Sequence, residues 1–536
     1  MADHSDPHNP MSRRTFLRLM SGAATPLILA ACGAPTAQNP TATATEPTSA
    51  PQTTSASAPQ RGGTLRVAFT NAVTSFSIFQ AFNLEDLDTI QHIYETLVWL
   101  DPQWKLQPRL ATAWEPSEGG KVWTFTLRKG VTFHHGTPFT AADVVHSIKR
   151  IKDPTVSIIT PNVAIIDTVE AVDDLTVRFH LNIPYANLPT LIAAEFCTIV
   201  AHDRSEDENV KAPMGTGPFR LKENVTGERM VWARNAQYWD PNLPYLDEVQ
   251  ITYISDRNAQ VAALVGGSVD LLINISPINL PTLEAAGHIT INEIKSGNTD
   301  MLTMRVDQKP FDDLRVRQAF KLVVDREGMI KAVLQGHGVV GNDQMIPPSN
   351  PYWGNVPALP HDIAKAKALL AEAGYPNGLD ITLYVSEAVI ANSVALGIAF
   401  KEMAKQAGIN VTVEQVAPDV YFTNYYTQKS FFADYWYETV HPDNTLNFSF
   451  RPDAGFNTSG WKNEKLVQMM DAVRIEPDRT KQMALYHDIQ QLISVEGGYI
   501  APYFRNLLTA NRDTVEGVEF TPRAWIIFRE ASLKGA

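Results

Sequence analysis

The chain offers two thiols, and their surroundings give them different chemistry. Cys32 follows Leu29-Ala30-Ala31 and precedes Gly33, so small residues flank it on both sides. Upstream lie the paired arginines of Ser12-Arg13-Arg14-Thr15-Phe16-Leu17 and an apolar, alanine-rich run from Ala23 to Ala31. A positive head, a short apolar stretch and small residues before a cut site are the parts of an export signal. The run is shorter than the ~20 residues that span a bilayer, and Pro26 within it opposes a stable helix. Cutting before Cys32 would leave its thiol on the first mature residue, free for lipidation. Cys197 lies in Leu191-Ile192-Ala193-Ala194-Glu195-Phe196-Cys197-Thr198-Ile199-Val200, an apolar, strand-like run in which a thiol is buried and inert.

The other reactive side chains form no catalytic set. His134 and His135 are adjacent, and neighbours on a strand point to opposite faces, which suits one metal ion poorly. They read as a turn with one exposed imidazole. Asp143 and Glu195 have no partner base in sequence. No GxxxxGK, HExxH, GxSxG or paired CxxC occurs. The chain is therefore expected not to be an enzyme and to need no cofactor or metal.

The Arg-Arg-Thr-Phe-Leu string resembles a twin-arginine export signal, and Leu-Ala-Ala-Cys resembles a bacterial lipobox. One acyl chain holds a membrane only marginally; a diacylglyceryl group on Cys32 would anchor the chain stably. Met1 to Pro10 is polar and adds nothing to the signal, so Met11 is an alternative start. Residues 1–31 are read as the signal peptide and 32–61 as the lipidated cysteine and a flexible stalk. From Gly33 to Arg61 the composition is mostly Ala, Thr, Pro, Ser and Gln with a single Glu and no aromatic residue, too polar to offset its ordering entropy.

At 536 residues the chain exceeds what one core supports, so two or three domains are expected. Its formal charge is −13, and losing the three arginines and two aspartates of the first 31 residues leaves −14. Such a surface repels nucleic acid and anionic headgroups. A monomer with no nucleic-acid partner is expected.

Beyond Gly62-Gly63, period-two alternation predicts strands at Thr64–Ala68, Val122–Leu127 and Arg229–Ala233, and a hairpin-like region at Val172–Phe179. Thr140 is placed to cap a helix carrying Val144, Val145 and Ile148. Apolar residues three and four apart predict helices over Arg317–Leu334, Asp362–Ala373 and Val394–Ala407, with a strand at Val411–Glu414. Helices alternating with strands make an α/β protein.

Several strings, in order, resemble the family 5 extracellular solute-binding proteins of ABC importers, the oligopeptide- and dipeptide-binding class. They are Leu110-Ala111-Thr112-Ala113-Trp114-Glu115 leading to Trp123–Val131, Phe133-His134-His135-Gly136-Thr137-Pro138-Phe139, Gly215-Thr216-Gly217-Pro218-Phe219, Pro310–Ala319 with Asp325-Arg326, and Leu369–Tyr375. The resemblance implies a two-lobed, three-domain, periplasmic-binding-protein-like α/β clamp of the class II, cluster C type. Lobe I would combine 62–94, 203–302 and 503–536, with an inserted domain at 95–202; lobe II would be 303–502. The implied role is extracytoplasmic capture of a di- or oligopeptide, or a related amine-bearing solute, for the transmembrane subunits and ATPases of an ABC permease. An oligosaccharide is the alternative, with nickel or haem binding and a surface hydrolase behind it.

In peptide-binding members an acidic residue meets the ligand's α-ammonium, and Glu438 stands at that position. Tyr435, Trp436 and Tyr437 offer flat faces beside it, or else close the core at the sheet end. Tyr425 and Arg505 are further candidates, Arg505 alternatively as a structural ion pair. Where the oligopeptide binders carry an arginine six residues before the acid, this chain has Phe432, which weakens recognition of a free carboxylate. Arg317 and Asp325 are expected to brace their helix.

Overall fold

Three apolar alternations come together as the centre of the first sheet. In a computed structural model, which describes residues 59–79, 84–157, 160–387 and 392–535, Thr64–Phe69 runs parallel to Glu248–Tyr253 on one side and to Leu271–Leu272 on the other. Leu65, Val67 and Phe69 are buried, as are Val249 and Ile251 beside them. The sheet has seven strands in the spatial order Ile289–Ile294, Leu507–Arg512, Leu271–Leu272, Thr64–Phe69, Glu248–Tyr253, Arg229–Arg234, Phe219–Val225. Cys32, the signal and the stalk as far as residue 58 lie outside the described residues.

A second, five-stranded sheet is ordered Ile409–Gln415, Leu379–Val385, Phe431–Trp436, Thr299–Met304, Tyr499–Ile500. The helix Ser393–Lys405 links its first two strands and buries Leu396, Phe400 and Ala404 against them. These two sheets centre the two lobes. A third, antiparallel sheet of Ala111–Ser117, Val122–Leu127, Thr176–Leu181 and Ile166–Asp173 belongs to an insertion in the chain of the first. Its helix Ala141–Ile151 starts with a capping box: Asp143 accepts from the Thr140 N–H at 2.8 Å.

The lobes are joined by two crossing segments. One is residues 295–298, between Ile289–Ile294 of the first sheet and Thr299–Met304 of the second; the other is 501–506. Thr299 already pairs with Trp436, so the first crossing lies a few residues ahead of the expected 302/303 boundary. The segments are tied together: Arg505 N–H donates to Asn298 O (2.9 Å), and Ser296 Oγ donates to Arg505 O (2.7 Å).

Two local expectations are corrected. The apolar spacing of 317–334 is carried by two helices, Leu314–Leu322 and Arg326–Leu334. Asp325 ends the continuity by capping the second, its carboxylate accepting from Gly328 N–H at 3.0 Å. Arg317 braces the first through the carbonyls of Phe311 and Glu496. The run around Cys197 is not a strand but a single short turn of helix, Glu195–Cys197, with flanking irregular chain. The Cys197 thiol is buried, which pushes its pKa up to about 12 and keeps it inert. Glu195, two residues earlier, is ion-paired with Arg523 of the C-terminal segment, and both are buried.

Candidate functional site

The strand Phe431–Trp436 reaches the crevice between the lobes and places the first group of side chains there. Antiparallel pairing with Thr299–Met304 sets Asp434 opposite Met301 and Trp436 opposite Thr299. The chain then leaves the sheet through Tyr437, Glu438 and Thr439, until a new helix, Pro442–Phe450, takes over. His441 caps that helix, its Nδ1 accepting from Asp443 N–H at 3.2 Å, and Pro442 occupies the first helical position. Glu438 is thus held on a short loop fixed at both ends.

Glu438 is only 5% exposed. Its N–H donates to Asn298 Oδ1 (3.2 Å), and its Oε1 accepts from Asn350 Nδ2 (3.0 Å). Its Oε2 is buried with no hydrogen-bond partner among the described residues. The neighbouring Gly297 N–H is spent on Pro522 O (3.1 Å). A Cβ at Gly297 would stand 2.2 Å from Oε2, so only glycine lets the carboxylate lie against this crossing. Burial, the largest influence, pushes the Glu438 pKa up to about 8 against the pull of Asn350 and of the Gly297 backbone. A half-satisfied carboxyl in an apolar setting is an unfilled acceptor for a cationic donor.

Glu438 lines a chamber whose cavity volume is about 150 Å³. Its walls are mostly apolar: Met301, Met345, Trp436, Phe448, Phe456 and Trp525. Tyr435 and Tyr437 line it too, with ring centroids 5.1 Å apart. Asp434 forms part of the wall, saturated by donors: Thr303 Oγ1 (2.8 Å), Thr458 Oγ1 (2.7 Å), Tyr426 OH (2.9 Å) and Tyr435 N–H (2.8 Å). Contacts across the crevice flank the chamber: Tyr352 OH donates to Asn187 Oδ1 (3.4 Å), and Tyr185 OH approaches His441 Nδ1 (3.5 Å).

Of the residues singled out in the sequence, Tyr435, Trp436, Tyr437 and Glu438 are brought together on the chamber wall. Tyr425 is not; its ring packs on Tyr384 at 5.2 Å, and Tyr426 takes the lining position instead. Arg505 does not line the chamber either. Its Nε lies 3.5 Å from Asp300 Oδ1, making it a structural ion pair in the second crossing. Phe432 is fully buried in the lobe core against Tyr426, with centroids 5.4 Å apart. His134 is half-buried, one ring nitrogen 3.0 Å from Gly217 O. Among the described residues no three His, Cys, Asp or Glu side chains are grouped to hold a metal ion, and no helix is long and apolar enough to cross a membrane. Asp434, Asn350, Met345 and Trp525 were not anticipated. A lone acid inside Phe431-Phe432-Ala433-Asp434 was the one available signal; the other three arrive from distant segments.

The sequence model of the bacterial extracellular solute-binding proteins, family 5 (middle), matches residues 105–457. The glutathione-binding protein GsiB of Escherichia coli (strain K12) is 27% identical over 483 residues, covering 87% of this chain and 94% of that protein. The structure is similar to the ABC transporter-associated periplasmic binding protein DppA from Helicobacter pylori in complex with peptide STSA. The TM-score is 0.78 at 25% identity, over 89% of this chain and 99% of that one. The oligopeptide-binding protein AppA from Bacillus subtilis, in complex with a nonapeptide, shares the fold, with TM-score 0.76 at 23% identity over 89% and 100% of the two chains.

Proposed function

Because the chain belongs to the bacterial extracellular solute-binding proteins, family 5, we propose that its interlobe chamber captures an amine-bearing solute, with Glu438 receiving the ammonium group. It is the extracytoplasmic, non-catalytic solute-binding component of an ABC importer, a two-lobed clamp that delivers its ligand to a permease. The observation that carries the ligand reading is the buried Glu438 on the wall of an apolar, aromatic-lined chamber, its Oε2 without a hydrogen-bond partner among the described residues. Trp436, Tyr435 and Tyr437 would pack against the body of the ligand. Arg505 would act on closure from the crossing rather than by touching ligand. Lobe I is read as 62–94, 203–298 and 503–536 around the insertion 95–202, and lobe II as 299–502, the first boundary moved from 302/303 to the crossing.

Glutathione, which GsiB is named for binding, and the peptide STSA held by DppA both carry an amine and support the same reading. Mass spectrometry of the solute released on denaturing freshly purified protein tests it. An amine-bearing compound is expected, and a neutral oligosaccharide would replace this reading by the sugar-binding one.

Lipid anchoring through Cys32 after twin-arginine export is part of the proposal and rests on the sequence signal. In cells fed labelled palmitate, the wild-type chain should take up label and fractionate with membrane, while Cys32→Ala should lose both. A Cys32→Ala chain that keeps its label would overturn the assignment.

A further inference from the structure

We infer that the chamber selects an apolar primary amine whose second polar group is a neutral carbonyl, and that it excludes a solute which must bury a free carboxylate there. This rests on the amine capture proposed above and narrows it to a chemical class.

Apart from tyrosines, the ionisable side chains on the chamber wall are all carboxylic acids. Glu195, Asp434 and Glu438 line it, and no Lys, Arg or His does so among the described residues. Two of the three acids are already satisfied: Glu195 by its ion pair with Arg523, and Asp434 by four donors. The guanidinium beside the lining Tyr437, that of Arg505, is matched to Asp300. A ligand carboxylate would therefore enter low-dielectric space with no basic partner to offset its desolvation.

The unfilled polar atoms have a different complement. Besides Glu438 Oε2, an acceptor, the lining residue Trp525 has its indole N–H buried without a partner. One unfilled acceptor and one unfilled neutral donor match an ammonium and a carbonyl oxygen. The rest of the wall, Met301, Met345, Phe448 and Phe456 among it, matches an apolar body. An α-amino amide has all three parts. Two sources share this chemistry: a small amide, or the N-terminal residues of a longer peptide whose carboxylate stays outside the chamber.

Calorimetry on the purified protein, freed of ligand by unfolding and refolding, separates the cases. The probes are leucyl-phenylalanine, its C-terminal amide, phenethylamine and a leucyl-phenylalanine peptide extended by four glycines. The amide is expected to bind at least tenfold tighter than the free dipeptide, and Trp525→Phe to weaken the amide while leaving phenethylamine unchanged. The extended peptide matching the amide would identify longer peptides as the source; its failing to match would identify small amides. Free dipeptide binding as tightly as its amide, with both weakened by Glu438→Gln, would overturn carboxylate exclusion and leave amine capture standing. Binding of none of the four would overturn both.

Discussion

Glu438→Gln should weaken a primary aliphatic amine by about 1.5–3 kcal/mol, the range for a hydrogen bond to a charged group, or roughly ten- to over a hundredfold in Kd. The pH dependence should carry the clearer signature. The ligand-free carboxyl holds its proton up to about pH 8 and must release it to meet an ammonium. An aliphatic amine, with a pKa of ~10.4, stays charged throughout. Wild-type affinity should therefore rise by up to about tenfold per pH unit from 6 toward 8 and flatten above it. In the Gln variant that slope should vanish. Asn350, Asn298 and Gly297 around Glu438 are neutral, and Glu195 and Asp434 are present in both proteins, so the difference isolates one carboxyl. Equal slopes in titration calorimetry at pH 6, 7 and 8 would remove Glu438 from the site.

Stability should move the opposite way. The folded-state pKa lies above the ordinary glutamate value of 4.5, so the folded form holds a proton that the unfolded form gives up. That contribution is complete below about pH 4.5 and is lost as pH rises toward 8. Ligand-free wild type should melt lower at pH 8 than at pH 6, by more than the Gln variant does.

The second large effect is expected at Gly215. A Cβ there would sit 2.1 Å from Ile93 O and 2.8 Å from Tyr94 Cα, and both obstacles are backbone. Gly217 N–H donates to Ile93 O (2.9 Å), and His134 N–H donates to Gly215 O (2.8 Å), so three segments meet without side-chain clearance. Gly215→Ala must part them and should cost about 3 kcal/mol or more, at the upper end for overpacking. Gly455→Ala has nothing within 4 Å of its new methyl and serves as the control, expected within ~0.5 kcal/mol of wild type. Urea midpoints of the three proteins decide it; coincidence of Gly215→Ala with the control would mean the segments yield freely.

Gly215 also illustrates what a sequence discloses. Its string could be picked out as a glycine-rich turn, yet the reason for the glycine, the Ile93 carbonyl, lies more than a hundred residues upstream. Alternation made Thr64–Phe69 and Val122–Leu127 legible because one face of each is buried against neighbours of the same period. The break at Asp325 was hidden because apolar residues continue straight through Val323-Val324, and a capping carboxylate leaves no trace in that rhythm. The site divides in the same way. Tyr435 to Glu438 are consecutive, so resemblance could reach all four at once. Asn350 meets them from 88 residues upstream, Trp525 only after the chain has crossed back to the first sheet, and no local pattern records either meeting. Tyr425 and Tyr426 are adjacent, and a single residue's rotation decides which of them faces the chamber.

The carboxyl that awaits the ligand is also in contact with the pivot. Glu438 hydrogen-bonds Asn298 and lies against Gly297, both in the first crossing segment, and that segment is stitched to the second through Arg505. No relay of intervening side chains is needed between the sensing group and the strands about which the lobes turn. By thermodynamic reciprocity, whatever free energy occupancy lends to the shut clamp, the shut clamp lends equally to retention. A solute that fills the apolar space but leaves Glu438 untouched forgoes that exchange. It could be held without being signalled, and the receptor would present it to the permease as though empty.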